Sequence, residues 1–199
     1  MRTILAGLII AATVSPRALQ AQVDYNARLG LTWASTLARD DIIEEIQLRQ
    51  NLAPTLALGA SLPIAPLYRA GLEVMLTSSG YHASEAGTST DLGTINTGSV
   101  TLGLNGPVSG RLSWRAGAGL LGYWPKEEEG IFLQGGTTRF LAGIGLDYHA
   151  SVSSRWDIIG SLRYDYHRFS TEELEARGFS QTQGVQRISA TVGIGRGTR

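Results

Sequence analysis

The chain has 199 residues, 25 glycines, no cysteine and a formal net charge of +0. That length suits one domain, and the missing cysteines exclude a disulfide framework, thiolate chemistry and a Cys-based zinc site. Balanced charge without a basic block speaks against a nucleic-acid partner, and glycine without a Gly-X-Y period excludes collagen.

Met1–Ala21 carries Arg2, an apolar run from Ile4 to Val14, Pro16 and the small-residue end Ala18-Leu19-Gln20-Ala21. This is the layout of a secretory signal cleaved after Ala21. The mature chain, 22–199, is then expected to form one domain. Beyond the signal no apolar run approaches the roughly 18 residues of a membrane helix.

From Tyr25 onward the chain alternates with period two, the signature of strands. Tyr25–Ala34 places Tyr25, Ala27, Leu29, Leu31 and Trp33 on one face, with Asn26, Arg28, Gly30, Thr32 and Ala34 on the other. A charged connection around Arg39, Asp40 and Asp41 precedes a long strand expected over Glu44–Leu62. Its apolar face includes Leu48, Leu56 and Leu58, and its polar face includes Glu45, Arg49 and Thr55. Pro54 predicts a bulge, because a strand paired on both sides has no place for a missing N–H. After the tight connection Pro63-Ile64-Ala65-Pro66, Tyr68–Thr77 sets Tyr68, Leu72 and Val74 against Arg69, Glu73 and Met75. Gly80–Gly93 reads as a polar loop. Thr94–Leu104 is the fourth strand, and Asn105-Gly106-Pro107 is a turn signature.

The fifth strand, Arg111–Trp124, carries Leu112, Trp114, Ala118, Leu120 and Trp124 on one face and Ser113, Arg115, Gly117 and Gly119 on the other. Its two tryptophans stand ten positions apart, which in a strand tilted about 40° separates them by about 25 Å along the axis. That is the height of the apolar band on an outer-membrane barrel, bounded by aromatic girdles. Lys126-Glu127-Glu128-Glu129 then forms a solvated loop. Arg139–His149 places Phe140, Ile144, Leu146 and Tyr148 outward, and Trp156–Tyr166 repeats the ten-residue aromatic spacing. Ser170 and Glu173 have capping-box spacing for one helical turn ending near Gly178. Gln186–Ile194 closes the series.

Eight strands result, with long connections after the odd-numbered ones and short turns after the even-numbered ones. The expected fold is all-β, an antiparallel up-and-down transmembrane barrel following a signal peptide. This pattern resembles the small eight-stranded outer-membrane barrels of the OmpX and OmpA transmembrane-domain type over Tyr25–Ile194. The resemblance implies a bacterial outer-membrane location, lipid as the main partner, extracellular loops and periplasmic turns. Barrels of that type usually end on an aromatic residue, whereas this chain ends Gly195-Arg196-Gly197-Thr198-Arg199. The expected girdle residues are Tyr25, Tyr68, Trp114, Tyr148 and Trp156 at one end, with Trp33, Trp124 and Tyr166 at the other. A soluble lipocalin-like barrel would reverse the two faces.

Inward positions supply Arg28, Arg69, Glu73, Arg115, Asp147 and Asp157 in the periplasmic half. In the outer half they supply Glu45, Arg49, Arg139, Arg163, Asp165 and Arg187. An eight-stranded lumen is just wide enough for side chains to fill, so these charges are expected to plug it around Glu73. The plainer alternative is that they only hydrate the interior. The plug reading expects Glu73→Ala to raise conductance. The resulting expectation is a monomeric structural or interaction barrel, with a passive pore for very small solutes as the alternative.

Other features carry less. His149-Ala150-Ser151 is similar to the His-x-Ser pair of lipid A deacylases, but it falls at a periplasmic turn with no Glu nearby in sequence, so no catalytic residue is assigned. His82 and His167 are too scattered for a metal site, and no cofactor is expected. Glu127, Glu128 and Glu129, like Glu172, Glu173 and Glu175, lack the ligand spacing of a calcium loop and read as solvated charge. Ile131-Phe132-Leu133 and Phe179 give the loops apolar surface, for an unidentified partner or for loop-on-loop packing.

Overall fold

The computed structural model describes residues 23–40, 46–85, 88–126, 132, 135–171 and 183–196. The signal over 1–21, Glu45, the acidic clusters and the one-turn helix expected after Ser170 lie outside the described residues. Ten strands are described: β1 (Asp24–Ala34), β2 (Ala38–Asp40), β3 (Ile46–Gln50), β4 (Ala53–Ala65), β5 (Tyr68–Glu85), β6 (Thr88–Ser109), β7 (Leu112–Pro125), β8 (Thr137–Ser151), β9 (Trp156–Phe169) and β10 (Gln183–Arg196). Eight of them close a ring in the order β1-β4-β5-β6-β7-β8-β9-β10, every pairing antiparallel. The ring shuts where Tyr25–Ala34 zips onto Arg187–Arg196, so no barrel edge is left to pair with another chain.

The two faces are assigned by burial. Leu29, Leu102 and Phe140 are 65%, 69% and 66% exposed, while Arg28 and Thr101 are 3% and 4% exposed. Apolar side chains outside and charged ones inside are the inverse of a soluble barrel. The lipocalin-like alternative is thereby overturned. A closed ring with an apolar outer band satisfies every backbone group within the wall, which is what lipid demands of a spanning structure.

Most of the aromatic side chains expected in the girdles are exposed on the outer face. Tyr25, Tyr68, Tyr148 and Trp156 are exposed near the turn end, and Trp33, Trp124 and Tyr166 near the loop end. Trp114 is half-buried because Tyr68 leans on it, with ring centroids 6.4 Å apart.

Three expectations need correcting. The described residues of Gly80–Gly93 are strand, not loop: β5 and β6 remain paired out to Glu85↔Thr88, past a register shift between Gly80 and His82. Polar side chains there mark strands that have left the lipid, not strands that have ended. The second expected strand is two strands, β3 and β4, separated at Asn51–Leu52, with β2 paired onto β3. The break reverses the alternation, so Leu48 is buried and Arg49 exposed. It also accommodates Pro54, which keeps register with Leu31 of β1 but lies one residue beyond the start of the β4–β5 ladder at Thr55↔Thr77. Finally, Asn105, Gly106 and Pro107 continue β6, paired with Arg115, Trp114 and Ser113. The turn sits at Gly110, whose φ of 53° favours glycine.

Candidate functional site

The inward faces build a column of polar contacts closed at one end by apolar packing. At the turn end Arg69 pairs with Asp24 at 2.7 Å and also reaches Ser61. These groups, with Asp157 and His149, line a cavity of about 340 Å3 in that half of the lumen. His149 Nε2 lies 3.2 Å from Ser113 Oγ, within this mouth.

Deeper in, Glu73 of β5 accepts hydrogen bonds from three guanidinium groups: Arg28 of β1, Arg115 of β7 and Arg163 of β9. Arg115 also donates to Asp147 at 2.6 Å and to Ser161 Oγ at 2.7 Å. Arg163 Nε holds both oxygens of Asp165 at 2.7 and 2.8 Å. Three arginines against Glu73, Asp147 and Asp165 make the cluster balanced in charge. Charges this poorly solvated persist only when each is paired and hydrogen-bonded. Glycine on the facing strands leaves the space. A Cβ on Gly143 would stand 1.8 Å from Asp165 Oδ1, and one on Gly145 would stand 3.2 Å from Arg115 Cγ.

Above the cluster is a layer of hydroxyls. Thr32 bonds Thr55 at 2.6 Å and Ser189 at 2.8 Å, and Thr77 bonds Thr97 at 2.6 Å. Arg187 crosses the lumen to Thr97 Oγ1 at 3.0 Å. Tyr123 and His167 join at 2.7 Å.

Beyond that layer the lumen is filled by an apolar cap. Leu37, Leu48, Tyr81, Tyr123, Phe132 and Phe169 are among its members, each 5% exposed or less. Phe169 stacks edge-on against Tyr123 and Phe132, with centroids 5.1 and 6.1 Å away, and Phe132 meets Tyr81 at 6.1 Å. Leu37 and Leu48 come from the excursion between β1 and β4, Tyr81 from the extended end of β5, Phe132 follows β7 and Phe169 ends β9, so four outward excursions of the chain supply the cap.

The expected charge network divides accordingly. Arg28, Glu73, Arg115, Asp147, Arg163 and Asp165 come together, although the sequence placed the last two in the outer half. Arg69 and Asp157 stay at the mouth. Arg187 stands apart with Thr97, and Arg139 donates to the carbonyl of Ser170. Arg49 is not in the lumen, because β3 stands beyond the ring and turns it to solvent. Phe132 packs inside the cap, which is the loop-packing alternative for that residue. Among the described residues no three His, Asp or Glu side chains group as metal ligands.

No protein-family model matches the chain, and none of the curated proteins matches it in sequence. Solved structures do. NspA, a neisserial surface protein, aligns with a TM-score of 0.58 at 10% identity, covering 88% of this chain and 97% of that one. The outer membrane protein AlkL in lipid bilayers gives 0.55 at 11% identity, covering 90% and 92%. Ail, the attachment invasion locus protein of Yersinia pestis, in complex with the heparin analogue sucrose octasulfate, gives 0.52 at 13% identity, covering 88% and 98%. The chain has the fold of the small eight-stranded outer-membrane β-barrels. A barrel of this type carries short turns on the periplasmic side and longer connections outside. In this chain the mouth with Arg69 and Asp24 lies at the short-turn end and the apolar cap at the end of the longer connections.

Proposed function

We propose that this outer-membrane barrel is a sealed, non-conducting scaffold whose role is structural or interaction-type, holding its outer excursions in one arrangement at the cell surface. The observation that carries the reading is the double closure of the lumen. An ion cluster around Glu73 links β1, β5, β7 and β9 across the lumen at one level, and an apolar cap packs across it at a second. A pore for small hydrophilic solutes needs a continuous wet path, and the cap interrupts it with buried, mostly apolar side chains. The same rings tie together the segments around Leu37, Leu48, Phe132 and Phe169, so the interior that blocks the pore also fixes the surface. The export signal expected over Met1–Ala21 belongs to this proposal.

The test is single-channel recording on the refolded protein in planar bilayers. The expected result is no stable channel above the leak of the bare bilayer. A steady open state in the wild type, or uptake of small sugars into liposomes carrying it, refutes the sealed barrel in favour of the passive pore.

A further inference from the structure

Two of the short turns carry tetrapeptides that differ at one position, Val108-Ser109-Gly110-Arg111 where β6 passes into β7 and Val152-Ser153-Ser154-Arg155 between β8 and β9. Their geometries differ, but both present the same two side chains. In the first, Val108 sits at the register shift between Pro107 and Ser109, a bulge of the kind that re-aims a side chain. The Arg111 carbonyl accepts the His149 amide at 2.9 Å, which ties this turn to β8. In the second, the amides of Val152 and Ser153 both donate to the Trp156 carbonyl, at 3.0 and 3.1 Å. Val108 and Val152 are 53% and 67% exposed, and Arg111 and Arg155 are exposed beside them.

The charge at this end is one-sided. Among the described residues, every exposed charged side chain there is an arginine: Arg111, Arg155 and Arg196. Asp24 and Asp157 are half-buried at the lumen mouth, Asp24 in its pair with Arg69. Arg111 lies three residues before Trp114, Arg155 one before Trp156, and Arg196 opposite Trp156 in the ladder. Arg111 and Arg155 thus stand just outside the aromatic belt that marks the membrane boundary, and Arg196 stands level with it.

We propose that these turns, with Arg196, form a binding rim for the phosphate headgroups of anionic phospholipids in the inner leaflet. An exposed valine next to each turn arginine suits the boundary between acyl chain and headgroup, where an apolar group enters the tails while a guanidinium reaches the phosphates. The cations are spread over β6–β7, β8–β9 and the end of β10, not gathered at one spot. That spread fits a ring of lipids better than one soluble anion, which would also leave the valines without an apolar neighbour. The inference takes from the proposed function only the orientation of the barrel, which names the leaflet, and not the sealed lumen.

The test uses the refolded full chain in phosphatidylcholine vesicles, with spin-labelled phosphatidylglycerol and spin-labelled phosphatidylcholine compared for association at the protein surface. A basic residue near an anionic surface contributes about 1 kcal/mol, equivalent to about fivefold per arginine at low salt. The wild type is expected to prefer phosphatidylglycerol severalfold, with the preference shrinking as salt is added. The triple variant R111Q/R155Q/R196Q is expected to lose the preference, and R111K/R155K/R196K to retain most of it, which separates charge from damage to the turns. Equal association of the two lipids with the wild type overturns the proposal, as does a preference that survives in the glutamine variant. Displacement by inorganic phosphate, beyond the effect of matched ionic strength, assigns the rim to a soluble anion and also overturns it. None of these outcomes bears on conductance, so the sealed lumen stands or falls separately.

Discussion

Replacing Glu73 by Gln removes one negative charge from the lumen and almost no volume. Glu73 is 8% exposed and accepts from Arg28, Arg115 and Arg163. Without its charge, those three cations are left with Asp147 and Asp165, and Asp165 already has both oxygens on Arg163. Removing one partner of a buried ion pair typically costs about 3–5 kcal/mol, because the remaining charge keeps its desolvation penalty. The expected loss for Glu73→Gln falls in that range, read as a lowered urea midpoint for the barrel folded in detergent micelles. The variant Glu73→Gln/Arg115→Gln should then be less unstable than the sum of its parts, with a coupling of about 1–3 kcal/mol. Conductance should stay at the wild-type level. The sequence alone leads to the opposite expectation, that neutralising Glu73 opens the lumen, but the cap of Tyr81, Phe132 and Phe169 lies beyond the cluster and does not depend on it. A stability loss below about 1 kcal/mol would show that water from the 340 Å3 cavity already compensates these arginines, and the balanced-cluster argument would fail.

Phe169→Ala should cost about 3–5 kcal/mol in the same unfolding assay, because its ring joins Tyr123 to Phe132; combined with Glu73→Ala it is the pair expected to produce a measurable channel in planar bilayers. Gly193→Ala places a Cβ 2.0 Å from the Ala27 carbonyl oxygen at the seam where β1 meets β10, so the folded band on a cold gel should be lost or greatly reduced, while Gly160→Ala, with nothing within 4 Å, should fold normally. Leu102→Arg puts a charge on the 69% exposed outer face at mid-band, and its cost of about 2–4 kcal/mol should exceed that of arginine at the belt position Tyr148, measured by refolding into vesicles.

Much of the barrel is legible in the sequence because lipid imposes its own chemistry on one face of every strand. The alternation in Tyr25–Ala34, the ten-residue spacing from Trp114 to Trp124 and the small or polar neighbours of Leu102, Thr101 and Gly103, all follow from that single demand. Legibility stops at the outer belt. Past it, β5 and β6 continue as Ser78-Ser79-Gly80 and Thr88-Ser89-Thr90-Asp91, a composition identical to that of a loop. The strand there is held by its neighbour's backbone, and pairing of backbones leaves no period in the side chains. The same limit explains β3: Leu48 looks like one more lipid-facing leucine until the break at Asn51–Leu52 shifts the alternation and turns it inward.

The charged cluster and the cap differ in how far sequence can reach. Strand parity alone sends Arg28, Glu73, Arg115, Asp147, Arg163 and Asp165 to the interior, so the members are readable. Which of them meet depends on strand stagger, which brings Arg163 down to Glu73 and leaves Arg187 with Thr97. The cap is harder, because its pieces obey different rules. Ile95, Leu121, Tyr123, Leu141 and Val185 occupy inward positions, where large apolar side chains break the polar pattern of the lower lumen. That concentration at the outer ends of four strands is the signal present in the sequence. A row of apolar groups facing a lumen at one level has no reason to exist in water, so it demands partners from outside the ring. Leu37, Leu48 and Phe132 are those partners. Apolar residues inside the outer rim of a small barrel therefore argue for a closed top before any loop has been placed, and here the closure follows from the same burial of apolar area that stabilises a soluble core.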